Sequence, residues 1–453
     1  MNTVMPTGWT SFSIADVGGI SGGKTPSKAN PNFWLSRDVP WVSPKDMKKS
    51  VLNDTEDRIS QLAINQAGMT LYPANSVLMV TRSGILQHTF PVALAAVQLT
   101  VNQDIKVFRP TEGVVPKFFF YMLRSFGTDI LSACAKDGTT VQSIDSEKLE
   151  TFPLPLPPLA EQTRISAKLD ELLAQIDTLK ARIDGIPALL KHFRQSVLTA
   201  AVSGQLTEEW RHGAEVNWSY QRAADVCEKV QSGGTPKEGF LESGIPFLKV
   251  YNIVNQQIDF EYRPQYISKS VHHHSSSKSI TLPGDVVMNI VGPPLGKVAT
   301  IPSNHPEWNI NQAITLFRPS KNIVSGWISI VLLGGENLRR IINETKGSAG
   351  QINISLSQCR DFVFPVPEVE EQGEIIRRVD KLFTFADQLE IRVKAAQARI
   401  DRLSQSILAK AFRGELVPQD PTDEPASVLL DRIKAQRAAA PRAKRSRRSA
   451  TLG

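Results

Sequence analysis

Three short runs in this 453-residue sequence carry residue types that could do chemistry. Residues 18–25, GGISGGKT, fit the phosphate-loop pattern GxxxxGK[ST], in which backbone amides and a lysine cradle phosphates. The context does not suit that chemistry, because a phosphate loop follows a buried strand and opens a helix, whereas Pro26 and Pro31 follow here and SFSIADV before it is a weak strand. Gly292, Pro293, Pro294 and Leu295 come near a motif that holds a flipped base, but no polar residue precedes the prolines and no aromatic follows them. His272, His273 and His274 are three of the seven histidines; adjacent side chains diverge on a regular backbone and no acidic or Cys partner is spaced nearby. They read as a solvated loop. These runs point away from nucleotide binding, methyl transfer and metal binding by this chain.

The elements that must position any functional residue form one large module written twice. VLTAAVSGQL at 197–206 returns as ILAKAFRGEL at 407–416, and FPLPLPPLAEQ at 152–162 returns as FVFPVPEVEEQ at 362–372. VNQDIKVFRP at 101–110 returns as INQAITLFRP at 310–319, and SGGKTP at 21–26 as SGGTP at 232–236. A period near 210 is far beyond the roughly 20 to 50 residues of a solenoid unit. Two divergent copies in one chain suit two related but unequal targets. Each copy holds about 150 residues of mixed character, a Pro-rich exit and a long helix. SVLMV (76–80), DIKVF (104–108), DVVMNIV (285–291) and AITLF (313–317) read as strands, while FFFYMLRSF (118–126) and WISIVLLGGENLRRII (327–342) read as helices. Each mixed part is therefore expected to be one α/β or α+β globule.

The long helices carry an unbroken 4-3 apolar spacing, the signature of a coiled-coil seam. The first seam is Ile165, Leu169, Leu172, Ile176, Leu179 and Ile183, continued by Ile186, Leu190, Phe193 and Val197. The second is Ile375, Val379, Leu382, Ala386, Leu389 and Val393, continued by Ala396, Ile400, Leu403 and Ile407. Gly185 and Pro187 predict a short break in the first helix with the heptad phase kept. Two such helices pack most economically on each other, antiparallel if a pseudo-twofold relates the repeats. At ~1.5 Å per residue the pair spans ~65 Å, long enough to act as a ruler between two globules. The expected fold is thus α+β: two mixed α/β globules joined by two long helices forming an antiparallel coiled coil, with an internal pseudo-twofold repeat.

Charge distribution qualifies the net charge of +7. Eight of the 52 Lys and Arg lie from Arg432 onward, where no acid occurs, leaving 44 bases against 45 acids before that point. A neutral body gives no bulk argument for nucleic-acid binding; only local patches could do so. Residues 419–453 read as a basic, disordered tail. Cys134, Cys227 and Cys359 are odd in number and far apart, which fits reduced, buried thiols better than disulfides or zinc. The sequence shows neither a membrane span nor a signal peptide, so a cytoplasmic protein is expected.

PLPPLAEQ, LDELLAQIDTLKAR, PALLKHFRQSVLTAAVSGQLTEEWR, PEVEEQGEIIRRVDKLFTFAD, RIDRLSQSILAKAFRGEL and LLDRIKAQRAAA together resemble the specificity subunit of type I restriction-modification systems, most nearly the enterobacterial subfamily typed A. The resemblance covers nearly the whole chain. It implies target-recognition domains at 1–150 and 214–361, each reading half of an asymmetric, gapped DNA sequence. Conserved helical regions would occupy 151–213 and 362–418, setting the gap and docking two methyltransferase subunits, to which two restriction subunits add. It further implies no catalysis and no cofactor in this chain; the partners would use S-adenosylmethionine, ATP and Mg. On residues alone, a coiled-coil scaffold with two protein-binding domains and no DNA readout competes with this reading.

If the halves read different bases, residues identical in both copies belong to the frame and divergent loops read sequence. Gly22, Thr25, Pro26, Asn102 and Gln103, with Gly233, Thr235, Pro236, Asn311 and Gln312, fall in the frame. The loops 81–89 and 291–299 diverge, as do 27–38 and 237–244. Candidate DNA contacts are Arg82, Gln87 and His88 for bases, with Lys45, Lys48 and Lys24 for phosphates. In the second copy the candidates are Lys249, Asn252 and Lys297.

Overall fold

The computed structural model describes residues 5–136, 141–344 and 353–439. It forms two compact units, Met1–Ile183 with Ala396–Gly453, and Asp184–Ala395. No helix among the described residues is long and apolar enough to cross a membrane.

In the first unit a five-stranded sheet runs in the order Ile20–Gly22, Ile105–Phe108, Val77–Val80, Val92–Ala95, Val51–Leu52. All pairs are antiparallel except the last, where Val51 faces Leu94 in parallel. Val77, Leu78, Met79 and Val80 are fully buried, so both faces of this strand are covered and its sequence runs apolar without alternation. Helix Pro116–Ser125 packs on the neighbouring strand and buries six consecutive residues from Phe118 to Leu123. A smaller sheet of Arg58–Ile59, Val39–Val42 and Thr100–Val101 has its own cluster around Phe33, Trp41 and Met69.

The second unit repeats this plan. Its main sheet runs Lys229–Ser232, Ile314–Arg318, Val286–Asn289, Val298–Thr300, antiparallel throughout. Its smaller sheet pairs Phe247 with Asn309 and Leu248 with Ile310 in parallel, as the first unit pairs Trp41 with Thr100 and Val42 with Val101. In each unit the Pro-rich exit returns as a strand beside the unit's start: Leu154–Leu156 against Thr10–Phe12, and Val363–Val366 against Ser219–Arg222.

Three segments make the long helices: Leu159–Asp184, Ile186–Val202 and Val369–Ala411. The break falls at Gly185, which keeps helical angles (φ −76°, ψ −21°), and Pro187 sits in the first turn of the next helix, where its missing N–H has no intrahelical partner to lose. Within the first unit, Ile165, Leu169, Leu173 and Ile176 share a core with Leu408, Ala411 and Phe412, and Lys180 pairs with Asp401 at 2.7 Å. Within the second, Val197 and Leu198 pack with Ile375 and Val379; Arg194 pairs with Asp387, and Arg378 reaches the Leu206 carbonyl at 2.8 Å. In each unit the partner number rises as the first falls, so the segments run antiparallel.

The heptad assignment requires correction in the first unit. Leu179 and Leu403 are 48% and 49% exposed, and Leu173 is more buried than Leu172. A straight α-helix drifts by about 20° per heptad against a 3.5-residue repeat, so a strict seam slides off the contact line. Ile183 and Leu389 are half-buried, whereas Ala386 and Val393 are buried.

The expected disorder of residues 419–453 does not hold for Ala426–Ala439, which form a helix. Ala426, Leu429, Leu430 and Ile433 are buried in the first unit's core; Leu429 and Ile433 press on Gly113 so closely that a Cβ there would lie 2.9 and 3.0 Å from them. The bases that suggested disorder are engaged: Lys434 pairs with Asp16 at 3.0 Å, and Arg437 donates to the carbonyls of Gly18 (2.8 Å) and Ala15. Basic composition masked an amphipathic spacing. Residues 440–453 lie outside the described residues. All three cysteines are free and buried, and burial pushes the Cys227 and Cys359 thiols up to about 12, away from thiolate chemistry.

Replacing Leu429 by Ala should lower the first unit's stability by about 3 kcal/mol. Urea unfolding of the full chain reads this as an earlier first-unit transition, and an unmoved midpoint would contradict docking of the tail helix.

Candidate nucleic-acid interface

The AEQ and EEQ triplets tie each unit's globule to its helix. Gln162 and Gln372 are fully buried. Gln162 accepts from the Val115 amide at 2.9 Å and donates to the carbonyl of Pro157 (3.1 Å); Gln372 accepts from Val324 (3.1 Å) and donates to Pro367 and Asn322 (2.9 Å each). One residue before, Glu161 accepts from the Trp9 indole at 2.9 Å and Glu371 from the Trp218 indole at 2.8 Å. Sequence reasoning misses these tryptophans, although their separation of 209 residues matches the repeat. The two carboxylates differ in their other partners. Glu371 also binds Thr207 at 2.7 Å and pairs with Arg211. The Oε1 atom of Glu161 has no hydrogen-bond partner among the described residues, and burial raises its pKa above the usual carboxylate value.

At one end of each main sheet the frame residues make matching bonds. Thr25 Oγ1 donates to Gln103 Oε1 at 2.7 Å, and Thr235 Oγ1 to Gln312 Oε1 at 2.7 Å. Asn102 accepts from the amide two residues on (3.0 Å), as does Asn311 (3.3 Å). The turn requires glycine where the chains cross: a Cβ on Gly23 would lie 1.7 Å from the Val101 carbonyl oxygen, and one on Gly233 would lie 2.0 Å from that of Ile310. Gly233 therefore corresponds to Gly23, one residue beyond the pairing with Gly22 read from the letters.

The divergent loops leave the same end of the sheet. Arg82 donates its amide to the Asp104 carbonyl at 3.3 Å, beside the Asn102 turn, and Ile290 donates to Ala313 at 2.8 Å beside the Asn311 turn. Arg82, Gln87 and His88 stand exposed around the short 3-10 turn Gly84–Gln87, which Ser83 caps. Lys24 is also exposed at this corner, and no helix opens at it, the next beginning at Asn32, so it lacks the architecture of a phosphate loop. Lys48 is exposed; Lys45 is held by Glu56 (3.1 Å) and Asp57 (2.9 Å), which neutralise it locally. Lys297 is half-buried on the opposite-copy loop, and the Lys249 ammonium lies 4.4 Å from the Phe240 ring centre.

Asn252 must be withdrawn as a base-reading candidate. It is 1% exposed, and its amide accepts from Lys249 N (3.0 Å) and donates to the carbonyls of Asp259 (2.9 Å) and Tyr262 (3.0 Å). Its hydrogen-bonding capacity is used in holding the loop.

The histidine run is likewise not a solvated loop throughout. His272 is fully buried in helix Lys269–His273, and the fold brings Glu307 to 3.3 Å from its Nε2 and 4.0 Å from that of His273. One ligand atom from each of the three lies within 4.8 Å of the others, a spacing that could hold a cation. The surrounding network opposes this. Asn309 donates to Ser276 O (3.1 Å) and accepts from the Ile310 amide (3.0 Å), so its Nδ2 must also donate to His272 Nδ1 at 3.0 Å. That places the histidine proton on Nε2, facing Glu307, where a metal would need a lone pair.

Comparison with known proteins agrees with the duplicated plan. A family model described as type I restriction modification DNA specificity domain matches twice, over residues 6–188 and 215–396. The EcoBI specificity subunit of Escherichia coli is 32% identical over 360 residues, spanning 73% of this chain and 74% of that protein. The StySPI specificity subunit of Salmonella potsdam is 32% identical over 357 residues, 76% of each chain. Among solved structures, a chain of a type I R-M system matches with a TM-score of 0.66 at 21% identity, covering 91% of this chain and all of that one. The HsdS subunit from Thermoanaerobacter tengcongensis gives 0.56 at 21% identity, covering 91% and 98%.

The two buried glutamates predict opposite responses to one substitution. Glu371→Gln strips the charge partner from Arg211, whose side chain is 10% exposed, and should cost about 3 kcal/mol. Glu161→Gln keeps an acceptor for Trp9 and removes a buried charge whose desolvation outweighs the attraction of Arg164, so at pH 7 it should be neutral or stabilising. Because the folded pKa of Glu161 is raised, its ionised form weakens the fold as pH rises through the carboxylate range, and any gain should vanish in acid. Unfolding curves at pH 4 and 7 test both; equal losses at pH 7 would contradict the difference in environment. Asn252→Ala, which strands three backbone groups, should lower second-unit stability by about 2 kcal/mol, measured by urea unfolding.

Proposed function

The chain belongs to the type I restriction modification DNA specificity family, and from that premise we propose that it is the sequence-reading subunit of a type I restriction-modification complex. Residues 1–150 and 214–361 are two target-recognition domains, each reading one half of an asymmetric, bipartite duplex sequence. The paired helices form an antiparallel coiled coil around a pseudo-twofold, and that rod sets the unspecified gap. Its outer faces take two methyltransferase subunits, to which two restriction subunits add in the cytoplasm. Chemistry belongs to those partners, with S-adenosylmethionine, ATP and Mg; this chain supplies position.

The observation that carries this reading is the matched sheet end: identical Thr–Gln bonds and Asx turns in both units, with different loops beside them. A shared frame suits the DNA backbone, which is the same everywhere, while unlike loops suit unlike bases. Arg82, Gln87 and His88 are the base-reading candidates of the first domain, and Lys297 and Lys249 those of the second, with Lys48 on the backbone.

Exchanging residues 1–150 for those of another family member should change one half of the methylated sequence and leave the other intact. A change in both halves, or in neither, would contradict two independent readers. Inserting one heptad into both helices at facing positions adds about 10 Å and should widen the permitted gap by about three base pairs; an unaltered gap would mean that the rod is not the ruler. A scaffold without DNA readout would instead give the methyltransferase complex no steep salt dependence of duplex binding.

A further inference from the structure

SGGTP in the second copy has no lysine where SGGKTP in the first has Lys24. The fold returns the missing charge from elsewhere. A pocket of about 360 Å³ in the second unit is lined by the SGG turn and by the segment after helix Lys269–His273, bringing Lys237 and Lys278 to the turn, with Glu238 the carboxylate among the lining residues. Both lysines are exposed, and neither is in an ion pair among the described residues.

Two further observations point to a ligand there. Ser276 is 8% exposed, lines the pocket, and its hydroxyl is used by no hydrogen bond among the described residues. Gly234 has nothing within 4 Å of where its Cβ would sit, so, unlike Gly233, packing does not demand glycine. Its missing side chain leaves the pocket open. The first unit fills the equivalent place differently. Ser60 and Ser268 cap corresponding helices, accepting from Ala63 N (3.2 Å) and Val271 N (3.1 Å), and eight residues beyond them stand Gly68 and Ser276. Lys24, the counterpart of Gly234, brings its Nζ to 3.7 Å from the Cβ site of Gly68. One unit thus sets a lysine over a glycine, the other a glycine over a serine flanked by lysines.

We propose that this corner is where each domain grips a DNA backbone phosphate, through Ser276, Lys278 and Lys237 in the second unit and Lys24 in the first. Hydroxyl and ammonium donors suit a tetrahedral anion, and such contacts carry no base identity, as befits the shared frame. The proposal rests on the reading of the chain as a DNA reader.

The test uses the full chain assembled with its methyltransferase subunits and duplexes carrying a single methylphosphonate, stepped through the recognised site. Wild type should lose about tenfold in affinity at one phosphate beside each half-site. Lys237→Gln with Lys278→Gln should abolish that sensitivity at the second half-site and make the slope of log K against log salt shallower by about 0.9 per lost contact. Base preference should not change. Lys24→Gln should do the same at the first half-site, and Ser276→Ala, whose hydroxyl supports nothing else, should weaken binding without loss of thermal stability. Unchanged sensitivity and slope in the lysine variants would overturn the proposal, as would a changed base preference. Inorganic phosphate bound in the pocket with a flat methylphosphonate scan would also overturn it, assigning the pocket to a free anion. Wild type that binds no duplex at any salt would remove the underlying reading itself.

Discussion

Each globule is held to its helix by a fully buried glutamine amide that completes backbone hydrogen bonds on both sides of the junction. Gln162 and Gln372 sit where a Pro-rich strand becomes a helix, a place where prolines remove donors and leave carbonyls to be satisfied. An unpaired carbonyl or amide at such depth would cost about 1–3 kcal/mol. The glutamine settles several at once and so fixes the angle at which the chain leaves the globule. The neighbouring glutamate adds an indole from the unit's own start, closing the globule on itself. A globule mounted on a helix keeps one direction only where this joint is rigid, and the arrangement occurs in both units.

The copies also show where duplication has relaxed. Glu371 lies beside Arg211, which compensates its charge, whereas Glu161 is buried without an ion-pair partner among the described residues. The first unit gains instead a helix from the end of the chain, which covers Gly113 and binds the carbonyls of Ala15 and Gly18. The two units therefore share their framework but differ in what stabilises it. The same holds at the sheet end, where the Thr–Gln bond is kept and the lysine has moved.

Much of this was legible in the sequence because repeats and periodicity are local signals. Val77–Val80, Ile105–Phe108, Val286–Asn289 and Ile314–Arg318 follow from apolar runs bounded by turn residues, and the break at Gly185 from glycine and proline. What escaped depends on contacts distant in sequence. Glu307 reaches His272 through a strand pairing that no spacing rule encodes, and Asn252 resembles a base reader until its three backbone partners are placed around it. The helix Ala426–Ala439 was hidden by its charge: its arginines and lysines suggested a solvated tail, yet Leu429 and Ile433 lie one turn apart on a buried face. Gly23 and Gly233 correspond because each crosses a carbonyl, a steric fact invisible to letter matching.

The central claim is that two unlike readers on one framework make a single asymmetric target. Mapping every methylated adenine in cells that express this chain with its methyltransferase subunits tests it most directly. The account predicts one motif with two specified segments of different sequence, separated by a gap of fixed length and free composition. A continuous or palindromic motif, or methylation without sequence preference, would contradict it.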